Sequence, residues 1–356
     1  MPAPTGRLTV LVLGVGGNVS QGILKALAQS PSAGRVIGAC IDARAAGLYL
    51  CDRAYISPPA AEPDFVSWLT ETCRAEGVDA VLSGVEPVLE VLAREAAALE
   101  AETGARCVTS PPEVLAIGQD KLATSRWLAA QGLAFPATAG LHDPSGVAAV
   151  VADCSFPLIV KPRRGKGSAG VRLVGSAAEL HTLAGDAALI VQEHLGDPSV
   201  EFTAGCFCDR DGALQGSVVF RRSLAAGTTD HAVAGDFPAV RAAAESIAGA
   251  LRPMGPLNVQ MRETDRGPVA FELNVRFSGT TPVRVHLGFN EVEAALRHLV
   301  LDEDVPAFPA NVRGTMLRYW NEVYVDADAM ATLKADGCLA DPAAADPVVG
   351  EWGMPR

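Results

Sequence analysis

The sequence has no pair of cysteines at CxxC spacing and no histidine cluster at zinc spacing, which excludes a zinc ribbon, a finger and a thioredoxin-type redox motif. Its eight cysteines (Cys40, Cys51, Cys73, Cys107, Cys154, Cys206, Cys208 and Cys338) are scattered, and the expectation is reduced thiols used as small core residues. Surplus positive charge is lacking too. With 29 Lys and Arg against 41 Asp and Glu the net charge is -12, which repels a phosphate backbone and excludes nucleic acid held by counterion release. No run of about 18 apolar residues occurs, and the start MPAPTGRLTV has neither a basic n-region nor an apolar h-region. The expectation is a cytoplasmic protein without a membrane partner. Internal repeats are absent.

What is present is 356 residues, 49% of them hydrophobic, enough for two or three packed units. From Leu8 to about Ser110, β-rich runs (LTVLVLGV, RVIGACID, DAVLSGV) alternate with helical patterns (SQGILKALAQ, DFVSWLTETCRAEG, PVLEVLAREAAALEAE). Strand then helix, repeated, predicts a parallel sheet covered by helices. The stretch PPEVLAIGQDKLATSRWLAAQG reads as one long helix, started by its prolines and stopped by Gly132. Next, FPLIVKPRRGKGSAGVRLV reads as two strands joined by a basic glycine-rich loop in a small α+β flap. ALIVQEHL, EFTAGCFCDRDGALQGSVVF and LNVQMRETDRGPVAFELNVR read as further strands, with DRDG and TDRG as hairpin turns. The last 45 or so residues are weakly patterned, as in a peripheral tail. These changes of pattern divide the chain into units at 1–112, 113–190, 191–310 and 311–356.

Three motifs could carry chemistry. Gly14-Val15-Gly16-Gly17 follows a strand, and Asp42 ends the next one; this resembles a dinucleotide fingerprint, and equally the tight corner of any doubly wound sheet. In the run Lys161 to Gly170, glycines free backbone N–H groups to surround phosphate oxygens and Lys161 supplies point charge; an exposed basic hairpin tip is the bland alternative. Gln260, Glu272, Asn274 and Arg276 lie on two strands joined by the TDRG turn, and the period of two puts Glu272, Asn274 and Arg276 on one face. A carboxylate with amide oxygens on neighbouring strands suits Mg²⁺ between nucleotide phosphates, and an arginine beside it suits a moving phosphoryl group.

Taken in order, Asp120-Lys121, IVKP with its glycine loop, QEHL (Gln192 to Leu195), EFT (Glu201 to Thr203), NVQ (Asn258 to Gln260) and ELNVRFSG (Glu272 to Gly279) resemble the ATP-grasp superfamily. The likeness is to the synthetase halves of the carbamoyl-phosphate synthase large subunit and their single-unit relatives, over about residues 8 to 305. It implies an ATP-grasp fold, α/β and α+β in class, with a Rossmann-like pre-ATP-grasp parallel-sheet domain at the N-terminus. It implies a ligase that uses ATP with Mg²⁺ or Mn²⁺ to activate a small carboxylate as an acyl phosphate and join it to an amine. By the same resemblance, Lys121 and Lys161 hold ATP phosphates, and Gly165, Gly167, Ser168 and Gly170 belong to a lid. Gln192, Glu193, His194 and Leu195 form the adenine hinge, and Glu201 is the ribose-side acid. Gln260, Glu272 and Asn274 are metal ligands, and Arg276 steadies the acyl phosphate. Gly16, Gly17 and Asn18 become a substrate-side corner, and Glu86, Arg221, Ser278 and Gly279 are candidate substrate contacts.

The sequence departs from the large subunit in having one synthetase unit and no glutaminase-like Cys-His arrangement, which speaks against carbamoyl phosphate as product. FSGTTP after Arg276 also departs from the usual continuation, and Glu86, Arg221, Arg222, Thr229 and His231 match no family position. A non-catalytic nucleotide sensor and a nicotinamide oxidoreductase built on the Gly14–Gly17 turn are the alternative classes. A homodimer is compatible with all of them.

Overall fold

The computed structural model describes residues 7–165, 167, 169–342 and 348–349. Ser168, expected in the lid, lies outside the described residues. Strands β1 (Leu8–Leu13), β2 (Ala33–Cys40), β3 (Arg53–Ile56), β4 (Ala80–Ser83) and β5 (Arg106–Cys107) form a parallel sheet in the order β3-β2-β1-β4-β5. Helices α1 (Asn18–Leu27), α2 (Phe65–Glu76) and α3 (Glu86–Thr103) connect them. β1 is buried along nearly its whole length, as an apolar strand covered on both faces must be. The order reverses between β1 and β4, so the loops at their C-terminal ends, which start α1 and α3, open one crevice.

The stretch expected as one helix is two: α4 (Pro112–Gln119) and α5 (Lys121–Ala130). Asp120 breaks it. Its backbone is extended (φ -120°, ψ 112°), and its carboxylate accepts hydrogen bonds from the amides of Leu122 and Ala123, so it caps the second helix while ending the first. Gly132, with φ +67°, stops the pair as expected.

The flap is a four-stranded antiparallel sheet ordered β6-β9-β7-β8: β6 (Thr138–Gly140), β7 (Leu158–Pro162), β8 (Arg172–Val174) and β9 (Leu189–Glu193). With α6 (Pro144–Asp153) and α7 (Ala177–His181) it has a small core of its own around Leu158, Val160, Val174 and Val191. A larger antiparallel sheet follows, ordered β14-β13-β10-β11-β12-β15. Its strands are β10 (Glu201–Cys208), β11 (Leu214–Ala225), β12 (Thr228–Ala234), β13 (Gly255–Thr264), β14 (Gly267–Asn274) and β15 (Gly314–Leu317). Helix α8 (Pro238–Leu251) covers one face through Ala244, Ile247 and Ala248; Phe207 and Phe220 on the other face join a core shared with the parallel sheet. The C-terminal segment closes both sheets: β15 adds the far edge of the large one, and residues 338–340 pair antiparallel with β3.

All eight cysteines are free; Cys40, Cys51, Cys73, Cys206 and Cys208 are buried, and burial pushes Cys51 and Cys73 up to about 12. Among the described residues no helix is long and apolar enough to cross a membrane.

Arg284, on α9 (Thr281–His286), and Glu291, opening α10 (Glu291–Ala295), are both fully buried. Arg284 Nη1 reaches both carboxylate oxygens at 2.9 Å, Thr281 donates to the same group, and Arg284 Nη2 donates to Asn258 of β13. Glu291→Leu leaves that guanidinium uncompensated and is expected to cost about 3–5 kcal/mol, read as a lowered urea midpoint. A shift under about 1 kcal/mol would show that the pair is not holding these elements.

Candidate functional site

Two cavities meet between the flap, the large sheet and the switch point of the parallel sheet. The inner one, of about 170 Å³, is walled by Lys121, Lys161, Gln192, Glu193, Leu195 and Glu201. The outer one, of about 910 Å³, is walled by Asn18, Glu86, Arg222, Thr229, Arg276 and Gly279. Gly165, Gly167, Gln260 and Glu272 border both.

Strand β7 carries Lys161 into the inner cavity, where it is 7% exposed. Its ammonium lies 5.6 Å from the ring centre of Phe271. Burial pulls it down to about 8, against the attraction of Glu272. Lys121 is the first residue of α5, held there by the Asp120 cap; its Nζ donates to Gly165 O at 3.0 Å and its amide to Arg163 O. Arg163 pairs with Asp120, so the DK dipeptide ties the helix start to the end of β7. From the far wall, Gln192 donates to Thr138, and Glu193 pairs with Arg266 at 2.6 Å while accepting from the Ala137 amide. Leu195 is buried at the cavity; His194 does not line it. Glu201 is 5% exposed and paired with Arg222 and Arg262.

The lysine sets a pH dependence. Its pKa is about 8 in the fold against 10.5 unperturbed, so below pH 8 the fold carries a buried charge, and that cost is lifted as pH rises from 8 towards 10.5. Anion binding has the opposite sign, because only the ammonium attracts phosphate. ATP affinity should therefore weaken as pH rises through about 8, with proton uptake on binding above that pH, and Lys161→Met should remove both effects. Calorimetry in buffers of different ionisation enthalpy reads this; pH-independent affinity from 7 to 9.5 contradicts it.

At the border between the cavities runs one chain of hydrogen bonds. Arg222 donates to Thr229 Oγ1 and Gln260 Oε1; Gln260 Nε2 and Asn274 Nδ2 both donate to Glu272 Oε1; Arg276 Nη2 donates to Asn274 Oδ1 and, at 3.3 Å, to Glu86. β13 and β14 create it, because Gln260 faces Glu272 and Asn258 faces Asn274 in the antiparallel register. Arg276 lies just past the end of β14; its Nη1 is held by Phe277 O, and its buried Nε has no partner among the described residues. Both amides bond the same oxygen of Glu272, leaving Oε2 without a side-chain partner among the described residues. No group of three or more His, Cys, Asp or Glu able to hold a metal occurs among the described residues, so the border offers one free carboxylate oxygen and two amides. That set fits a hard cation that brings phosphate oxygens and water as its remaining ligands, as Mg²⁺ does.

The glycine loop roofs the border. A Cβ on Gly227, in the β11–β12 turn, would lie 2.2 Å from Gly167 O, so glycine is required where loop and turn meet. Arg164 pairs with Glu90 of α3 at 3.0 Å.

Of the expected substrate contacts, Gly17, Asn18, Glu86, Ser278 and Gly279 line the outer cavity. Gly16 and Arg221 do not. Successive strand residues face opposite ways, and on β11 it is Arg222, 8% exposed in its side chain, that turns inward while Arg221 is exposed. The corner is packed with protein from Gly14 to Gly16: a Cβ on Gly14 would meet Val85 at 2.3 Å, one on Gly16 would meet Cys40 and Ala45 at 3.1 Å, and one on Gly47 would meet Val15 O at 2.3 Å. Asp42 is paired on the surface with Arg44. Chain packing thus accounts for these glycines without a dinucleotide.

Residues 10–107 match the family model of the PylC-like N-terminal domain, and residues 186–323 match that of the ATP-grasp in the biosynthetic pathway with Ter operon. The second match covers the hinge, the Gln260–Arg276 border and Arg318. Residues 186–323 thus match an ATP-grasp family. The chain is similar to the protein y4rH of Sinorhizobium fredii, at 30% identity over 53% of the chain and 43% of y4rH. It is similar to the carbamoyl phosphate synthase large chain of Deinococcus radiodurans, at 25% over 79% of the chain and 29% of that protein. It therefore spans less than half the length of either relative. The N5-carboxyaminoimidazole synthetase of Staphylococcus aureus, complexed with ADP, shares its fold with a TM-score of 0.70 at 13% identity, over 94% of this chain and 88% of that one. The biotin carboxylase domain of Hydrogenobacter thermophilus 2-oxoglutarate carboxylase, with MgADP, ADP and bicarbonate, does so at 0.67 and 14%, over 87% and 74%. At these identities the likeness is one of fold.

Proposed function

We propose that the chain is an ATP-dependent carboxylate–amine ligase releasing ADP and phosphate, with nucleotide in the inner cavity and its two other substrates in the outer one. The observation that carries this is the border itself, where one free carboxylate oxygen, Lys161 and two largely buried guanidinium groups, of Arg222 and Arg276, stand between the inner cavity and the larger outer one. Lys121 and Lys161 neutralise phosphates, while Leu195 and the hinge backbone meet the base. Glu272, with Gln260 and Asn274 beside it, would hold Mg²⁺, which supplies charge neutralisation between phosphates when bound. An oxygen of the substrate carboxylate attacks the γ-phosphorus and ADP leaves. The amine then adds to the carbonyl carbon of the acyl phosphate, loses its proton, and expels phosphate. Arg276 holds the charge that develops on the phosphoryl group, and the glycine loop roofs the border against water. The work of the protein is positioning and electrostatics.

The fold supports this over a nicotinamide enzyme, because the glycine corner is packed against residues 47 and 85. The test is ADP release against a panel of small carboxylates and amines, singly and in pairs. Release that requires one specific pair is the expected result; ATP binding without release for any pair points to a sensor and overturns the ligase reading.

A further inference from the structure

Arg318 follows β15, the edge strand of the large sheet, and its neighbours Leu317 and Tyr319 are 72% and 78% exposed. Arg318 alone of the three turns inward. Nε donates to Thr229 O at 2.7 Å, Nη1 to Asn18 Oδ1 at 3.1 Å, and Nη2 to Gly279 O at 2.9 Å. Asn18 in turn donates to Thr228 Oγ1. These four residues all line the outer cavity, yet they come from three places far apart in sequence: the start of α1, the β11–β12 turn with β12, and the loop after β14. Every bond that Arg318 makes is to a neutral oxygen, and no carboxylate lies within ion-pair distance of it among the described residues. Burial accordingly pulls its pKa down, only partly opposed by Asp230. A structural tie alone needs no charge there, since a half-buried cation without an ion-pair partner gives up part of its hydration.

We propose that Arg318 is a positioning residue of the outer cavity: its planar fork fixes Asn18, Thr229 and Gly279 as one wall, and its unneutralised charge sets that wall to receive the anionic group of a carboxylate-bearing substrate. The proposal rests on the ligase reading for the identity of the chamber. The fork geometry matters, because one guanidinium presents three donors in a plane and an ammonium cannot. Nucleotide is held elsewhere, so the effect of Arg318 is confined to the other substrates.

The test uses Arg318→Ala, Arg318→Lys, Asn18→Ala and the double variant Asn18→Ala/Arg318→Ala, with the carboxylate and amine that the panel selects. Arg318→Ala and Arg318→Lys should each raise KM for the carboxylate by about tenfold or more, with calorimetric ATP affinity within about twofold of wild type. If Arg318 acts through Asn18, the double variant should be no worse than Arg318→Ala. Unchanged KM, ATP affinity falling in step with KM, additive effects in the double variant, or full rescue by lysine each overturn the proposal. A wild-type chain that binds ATP but releases no ADP with any pair defeats the ligase reading instead. Amide hydrogen exchange then decides on Arg318. Arg318→Ala should speed exchange in peptides covering residues 16–22 and 278–282 by on the order of tenfold, and equal rates would overturn its role in fixing the wall.

Discussion

Arg276→Lys is expected to lower the rate of ADP release about 10²- to 10³-fold while ATP affinity stays within about twofold of wild type. The guanidinium is clamped by Asn274 Oδ1 and Phe277 O, and its side chain is 12% exposed, so it is fixed before any substrate arrives. A donor fixed in this way stabilises charge that appears only as the γ-phosphoryl group moves, and it therefore acts on the rate and not on ground-state affinity. The loss corresponds to roughly 3 to 4 kcal/mol of transition-state stabilisation. Lysine does not rescue, because its ammonium is a compact point charge without the planar fork that holds Asn274 Oδ1 and Phe277 O while meeting a phosphate oxygen. Stopped assays of ADP release beside calorimetric titration with ATP make the comparison. Wild-type turnover in the lysine variant, or a loss of affinity that matches the loss of rate, would remove Arg276 from the chemistry.

Glu272→Gln is expected to reduce turnover further, below detection, in a chain that still folds. Glu272 is the shared acceptor of Gln260 and Asn274, and its Oε2 is the free carboxylate oxygen at the border of the two cavities. A glutamine there keeps the volume, but it removes the charge that would anchor Mg²⁺. The neighbouring network is then disturbed as a unit, since the amide nitrogens of Gln260 and Asn274, which both donate to Glu272, would face a side chain with one acceptor oxygen and two N–H donors of its own. The decisive readout is metal dependence: Mg²⁺ should strengthen ATP binding by wild type and make no difference to the variant. An unfolded variant is recognised by circular dichroism, and Glu272→Asp, which retains the carboxylate, separates charge from shape. Normal ADP production by folded Glu272→Gln would sink the assignment of Glu272.

Much of this arrangement is legible in the sequence because it is local. Alternation along residues 271–277 puts Glu272 and Asn274 on one face, the TDRG turn pairs that strand with Gln260, and the strand-helix rhythm of the first hundred residues gives the parallel sheet. The boundary at Asp120 was harder to read, since DK sits within helical periodicity. Its carboxylate prefers the amides of Leu122 and Ala123 and the charge of Arg163, and the last of these is 43 residues away. The choice between Arg221 and Arg222 depends on the phase of a strand with polar residues on both faces beyond Phe220, and on a register shift in its pairing with β12. Arg318 is invisible to pattern: three hundred residues separate it from Asn18, and the weakly patterned C-terminal segment shows its order only when β15 pairs with β12 and residues 338–340 pair with β3. Non-local pairing of this kind leaves no period in the sequence.

The central claim is that a carboxylate oxygen of the substrate attacks the γ-phosphorus of ATP. It is tested most directly by running the reaction with the carboxylate that the panel selects, labelled with oxygen-18, and analysing the released phosphate by mass spectrometry. Attack through an acyl phosphate carries a carboxylate oxygen into the phosphate when the amine expels it, so the account predicts phosphate bearing one label per product formed. Phosphate whose added oxygen comes from solvent, with the label kept in the carboxylate, would mean that water attacks ATP at this border and would contradict the account.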